Sequence, residues 1–222
     1  MNIIKIIARW LLTSVTLVPL VVSAASLSIT VTDKAGNPVA GVVAVAIPTG
    51  SQSKRVEPVN APPVVMDQRD LQFVPSILPV HTGTPVVFPN SDPVAHQVYS
   101  FSPAKRFALG LYRGQQHAPI VFDHPGVVVL GCNIHDNMLG YVYVTDAPFF
   151  GMTAGKGAWG VATVPAGEYR LQIWTPRLDD PNGLDRSVTI DEGHDSAVVF
   201  QVTQQLRALP VTKPRDKRLR DY

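Results

Sequence analysis

Turn signals recur along this chain about every ten residues, and only short runs of β-branched and aromatic residues lie between them. Twenty prolines and sixteen glycines are spread over the 222 residues. Each proline removes a backbone donor and pins one backbone torsion, so no long helix fits among them. The chain is therefore read as all-β. Only residues 104–109 show any helical apolar period.

The strands can be placed from the pattern. Residues 26–31 (SLSITV) alternate polar and apolar, as a half-buried strand does, and 42–47 (VVAVAI) make a second strand. Residues 51–65 are polar and proline-bearing and read as a linker. Strand material follows at 71–74, 86–88, 97–101, 120–122 and 127–130, and 139–144 (LGYVYV) closes this middle region of 66–146. Further strands are expected at 158–164, 169–174, 188–190 and 197–202.

The two ends bound location and partners. Lys5 and Arg9 precede an apolar run over 10–22, and Val22-Ser23-Ala24 is a small-residue cleavage site. The run is too short to span a bilayer, so residues 1–24 read as a signal peptide, and the protein is expected to be exported and periplasmic. Without that segment the charges balance, seventeen of each sign, which argues against nucleic-acid binding. The one local excess is the tail, 204–222, where Lys213, Arg215, Lys217, Arg218 and Arg220 face Asp216 and Asp221. It reads as a solvated, disordered end.

Chemistry concentrates at Cys132, the only cysteine, in the string Gly131-Cys132-Asn133-Ile134-His135-Asp136-Asn137-Met138. A lone thiol in an exported chain has no disulfide partner and is open to oxidation unless something occupies it. Thiolate, imidazole and thioether within seven residues can converge on one ion, and together they select copper. A trigonal copper site needs a second imidazole. His96 is the best candidate, because it follows a strand and a turn and can enter from a neighbouring segment. Zinc remains the rival, with Asp136 a conceivable fourth ligand. A Cys/His nucleophile pair is disfavoured, because a catalytic histidine normally comes from a segment separate from the cysteine's own, unlike the adjacent His135, and no oxyanion-hole element is evident; no C-x-x-C-H haem motif is present either. His81 reads as a turn residue; His117, His124 and His194 receive no role. Met66 and Met152 read as packing residues, and Tyr141 and Tyr143, on one strand face, as structural.

In their order and spacing, Asn90, His96, Cys132, His135 and Met138 resemble the cupredoxins, with the C-x2-H-x2-M loop of amicyanin. A wider similarity is to exported methylamine-utilization or plastocyanin-like proteins. The resemblance covers residues 66–146 and implies a Greek-key β-sandwich. It also implies equatorial ligands His96, Cys132 and His135, axial Met138, and an Asn90 that helps to hold the Cys132 loop by hydrogen bonding. Leu130, Gln97 and Asp136 depart from residues frequent in the family. The flanks, 25–50 and 147–203, resemble a carboxypeptidase-regulatory-like, transthyretin-like sandwich through Gly36-Asn37-Pro38 and Pro165-Ala166-Gly167-Glu168-Tyr169. Each flank has too few strands to close alone, so the middle region is expected to be inserted in, or flanked by, this second small sandwich.

The resemblance implies a one-electron carrier with a single copper cycling between Cu(I) and Cu(II), not an enzyme. The expected partner is a redox protein, a cytochrome or an oxidoreductase, and the expected state is a monomer with no membrane span. The alternative is a copper-binding or copper-handling protein without a redox partner.

Overall fold

The computed structural model describes residues 25–50, 62–114 and 117–209. The expected signal peptide, the 210–222 part of the tail and residues 51–61 of the linker lie outside the described residues. The chain enters with β1 (Ala25–Thr32) and β2 (Val43–Pro48). A middle series follows: β3 (Val64–Val65), β4 (Asp67–Arg69), β5 (Gln72–Val74), β6 (Ile77–His81), β7 (Thr84–Val87), β8 (Tyr99–Ser100), β9 (Phe107–Ala108), β10 (Ile120–Phe122), β11 (Gly126–Gly131) and β12 (Leu139–Thr145). The chain ends with β13 (Phe149–Met152), β14 (Ala158–Val164), β15 (Gly167–Trp174), β16 (Leu184–Ile190) and β17 (Ser196–Gln201). No α-helix occurs among the described residues, and the all-β expectation holds.

The first two strands pair only with the last five. β1 lies between β14, antiparallel, and β17, parallel. β2 lies between β13 and β15, both antiparallel, and β16 extends that sheet beyond β15. These two sheets enclose one core, in which Leu27, Ile29 and Val31 of β1 meet Tyr169, Leu171 and Ile173 of β15. The alternation read in β1 is therefore real: those apolar residues point inward and the intervening polar ones outward.

The middle strands form a second sandwich. One sheet has the order β10-β7-β3 and the other β6-β12-β11-β8-β9, with β4 and β5 as a separate hairpin. Met66, Phe73, Val86, Phe88, Phe122, Val128, Leu130 and Val142 fill the space between the sheets. The linker is shorter than expected, since Val64 and Val65 already pair with Val86 and Val87. The helical period at 104–109 is not realised either. Phe107 and Ala108 form β9, and the Leu109 amide donates to the Val98 carbonyl at 2.8 Å. Phe107 packs on Phe88 and Phe122, a tertiary contact that overrides a weak local preference.

The two sandwiches share a third apolar cluster. Val43 and Val45 of β2 and Trp174 of β15 meet Ile77 of β6 and Tyr143 of β12, with Ala147. This explains why β2 reads as a continuous apolar run. Ala44 and Ala46 face the outer core while Val43 and Val45 face the inner sandwich, so both of its faces are dry. Tyr141 and Tyr143 lie on the β12 face opposite the inner core, and both rings contact Trp174.

Candidate metal centre

β11 and β12 are an antiparallel pair in register from Gly126↔Val144 to Gly131↔Leu139. The residues between them, 132–138, form two successive tight turns. The His135 amide donates to the Cys132 carbonyl at 3.3 Å, and the Met138 amide donates to the His135 carbonyl at 2.9 Å. Asn133, Asp136 and Asn137 are the residue types that such turns favour. Cys132, His135 and Met138 thus sit at the corners of one short connection. Cys132 and Met138 are buried and belong to the inner core, whereas His135 is half-buried.

His96 arrives from elsewhere. Its backbone pairs with Tyr112 in an antiparallel bridge, with both amide-to-carbonyl bonds at 2.9 Å. The ring is fully buried. Its Nδ1 lies 3.2 Å from Nδ1 of His135 and 3.9 Å from Sγ of Cys132. The third edge of this triangle, Cys132 Sγ to His135 Nδ1, is 3.7 Å. A first-row metal bonded trigonally, at about 2.0 Å to nitrogen and about 2.3 Å to sulfur, requires edges of about 3.5 Å between nitrogens and about 3.7 Å from sulfur to nitrogen. The donor set fits a metal ion, and His96, Cys132 and His135 are the one group of three His, Cys or acidic residues among the described residues with this convergence.

The surroundings favour charge separation within the triangle. Burial alone would push the Cys132 thiol up. Hydrogen bonding with His96 and from the backbone amides of Gln97 and Ile134 outweighs burial and brings it below the ordinary thiol value. Burial likewise opposes a charge on His96, but its contacts with Cys132 and Asp92 prevail and raise it. The Gln97 amide donates to Cys132 Sγ at 3.5 Å, and the Gln97 side chain accepts from Asn133 at 2.7 Å, which ties the His96 segment to the Cys132 turn.

Asn90 does something other than expected. Its side-chain amide donates to the Val94 and Tyr112 carbonyls at 3.0 and 2.9 Å, and its Oδ1 accepts from the Asp92 amide at 2.9 Å. These bonds shape the loop that carries His96, not the Cys132 loop, because Asn90 and His96 flank the same turn. The residue that sequence reasoning missed is Asp92, whose Oδ2 lies 2.6 Å from His96 Nε2. An acidic side chain four residues before the histidine was the available signal.

Around these residues, Tyr112 donates its hydroxyl to the Phe88 carbonyl at 2.6 Å and accepts from the Gln68 side-chain amide. Burial pushes this phenol up to about 12. The other histidines lie outside the triangle. His81 packs edge-on against Phe150, His117 against Tyr112, His124 pairs with Asp123, and His194 approaches the Glu192 carbonyl. Met66 is buried in the inner core, and Met152 packs at the junction between the sandwiches.

No protein-family model and no curated protein matches the chain. Among solved structures it is similar to a Cu-containing nitrite reductase from Thermus scotoductus SA-01, at 26% identity and a TM-score of 0.36, over 44% of this chain and 25% of that one. The matched part thus spans about a quarter of that reductase's length. It is also similar to a proline-to-glycine mutant of amicyanin in its reduced Cu(I) form, at 23% identity and a TM-score of 0.35, over 39% of this chain and 86% of that one. A reduced proline-to-phenylalanine mutant of amicyanin matches at 20% identity and a TM-score of 0.35, over 46% and 99% of the two chains. No helix among the described residues is long and apolar enough to cross a membrane.

Proposed function

We propose that this protein is an exported type 1 copper protein of cupredoxin kind that carries single electrons. The observation that carries the reading is the triangle of His96 Nδ1, His135 Nδ1 and Cys132 Sγ, with edges of 3.2, 3.7 and 3.9 Å. Its two imidazoles and one thiolate would hold the copper, and the buried Met138 at the end of the same connection would add a weak thioether donor. Copper supplies the one-electron couple. The protein supplies a rigid set of donors: Cys132 and His135 are fixed by one pair of turns, and His96 is fixed by a sheet bridge. Ligands held this way change position little between oxidation states, which keeps the reorganisation cost of electron transfer low.

His135 is the half-buried member and the exit point toward a redox partner, a cytochrome or an oxidoreductase. The outer sandwich packs on the opposite face of β12 through Tyr143 and Trp174, and none of the three converging donors comes from it. We propose that it is a transthyretin-like sandwich with a supporting role. A carrier of this kind makes and breaks no substrate bond, and it works as a monomer after loss of residues 1–24.

The test is the visible spectrum of the protein with one equivalent of Cu(II), beside Cys132→Ser. An intense thiolate-to-copper band that is absent in the variant and bleaches reversibly with reductant is expected. Tight retention of Cu(I) or zinc with no such band would overturn electron transfer and leave the copper-handling role.

A further inference from the structure

The β4–β5 hairpin turns on Asp70 and Leu71, two non-glycine residues with φ of 54° and 59°. A leucine in the left-handed region is uncommon and costs free energy. Two such residues in succession aim their amides to one side, forming a small concave nest for an anion. That anion is the Asp92 carboxylate. Its Oδ1 accepts the Asp70 amide at 2.7 Å and its Oδ2 accepts the Leu71 amide at 3.0 Å. The same Oδ2 lies 2.6 Å from His96 Nε2. The Asp92 side chain is 7% exposed and that of His96 is 0% exposed, so water does not compete for this contact.

The consequence for His96 is chemical. An imidazole has two nitrogens, and which one faces a metal is set by what the other is bonded to. Here Asp92 engages Nε2, which leaves Nδ1 to face Cys132 and His135. We infer that Asp92 is a positioning residue: held by the β4–β5 tip, it selects Nδ1 of His96 as the metal-facing atom and makes that ring a stronger donor. The inference rests on the metal-centre reading for its functional meaning but not for its geometry. A buried carboxylate behind the ring also favours the more positive state of a bound ion, so it holds the reduction potential of copper down.

Two variants test this. In the metal-free protein, long-range proton–nitrogen spectra should show a slowly exchanging proton on His96 Nε2. In Asp92→Ala that proton should exchange rapidly and the ring should populate both tautomers. Asp92→Asn can keep an oxygen toward Leu71 and His96 Nε2, but it loses the charge and turns an NH2 donor toward the Asp70 amide. It should therefore keep the single tautomer while Cu(II) affinity falls about 10- to 100-fold and the reduction potential rises. If Asp92→Ala does not fold, Asp92→Asn still decides. A wild-type tautomer in Asp92→Ala, or wild-type affinity and potential in Asp92→Asn, would overturn the inference. A protected Nε2 proton in a wild-type protein that binds no copper would support the positioning role and overturn the metal centre instead.

Discussion

His96 and His135 present Nδ1 to each other at 3.2 Å, with ring centroids 4.9 Å apart and planes inclined by 61°. They come from segments 39 residues apart, and one ring is fully buried while the other is half-buried. That asymmetry gives the two proposed ligands different replaceability. His135→Gly should lose tight metal binding and regain it when free imidazole is added, because the vacated position opens toward solvent. His96→Gly should not be rescued, because its position is sealed beneath the loop. Metal titrations with and without imidazole check this, and equal rescue of both variants would contradict the assignment.

Met138→Leu should leave copper bound with a higher reduction potential, since a thioether is a weak axial donor and leucine is none. The change conserves volume in a buried position, so it should cost under about 1.5 kcal/mol in stability. Voltammetry and urea unfolding read the two quantities separately. Loss of copper on this change would show that Met138 is not the weak ligand proposed.

Gly131, the residue before Cys132, lies under the Tyr99 ring. A Cβ there would meet Tyr99 ring and hydroxyl atoms at 2.8 Å. Gly131→Ala should therefore destabilise the protein by about 1–3 kcal/mol through overpacking. Combined with Tyr99→Ala, the same change should cost much less than the two single effects together. A double-mutant cycle in urea measures this coupling, and additive effects would mean that the ring moves aside freely.

Trp174 joins the two sandwiches. It is 4% exposed, touches Tyr141 and Tyr143, and donates its indole N–H to the Pro181 carbonyl at 3.0 Å. Trp174→Ala should cost about 3–5 kcal/mol. The ligand triangle lies in the other core, so the copper spectrum of the folded fraction should be unchanged. A shifted thiolate band in that variant would mean that the junction shapes the site.

Much of the site was legible because it is local. Cys132, His135 and Met138 lie three residues apart along a connection rich in turn formers, and the covalent reach of such turns brings the three together whatever the rest of the chain does. The all-β class was legible for a similar reason, since proline and glycine act on their own backbone. The helical apolar period at 104–109 did not become a helix because it has no local partner, and the strand there exists only against Val98 and the Phe88–Phe122 core.

By itself, then, the amino-acid sequence determined the strand-and-turn character and the clustering of three side chains of metal-ligating type, Cys132, His135 and Met138, in one connection. Tertiary structure alone decided which nitrogen of His96 faces the cluster, that Asn90 shapes the His96 loop, that Asp92 is the partner behind the ring, and that β1 takes β14 as an antiparallel neighbour and β17 as a parallel one. The division has one physical reason. Turn chemistry acts within a few residues of covalent chain, whereas ring orientation and strand partnership are set by burial and hydrogen bonding between segments that meet only once the core has formed.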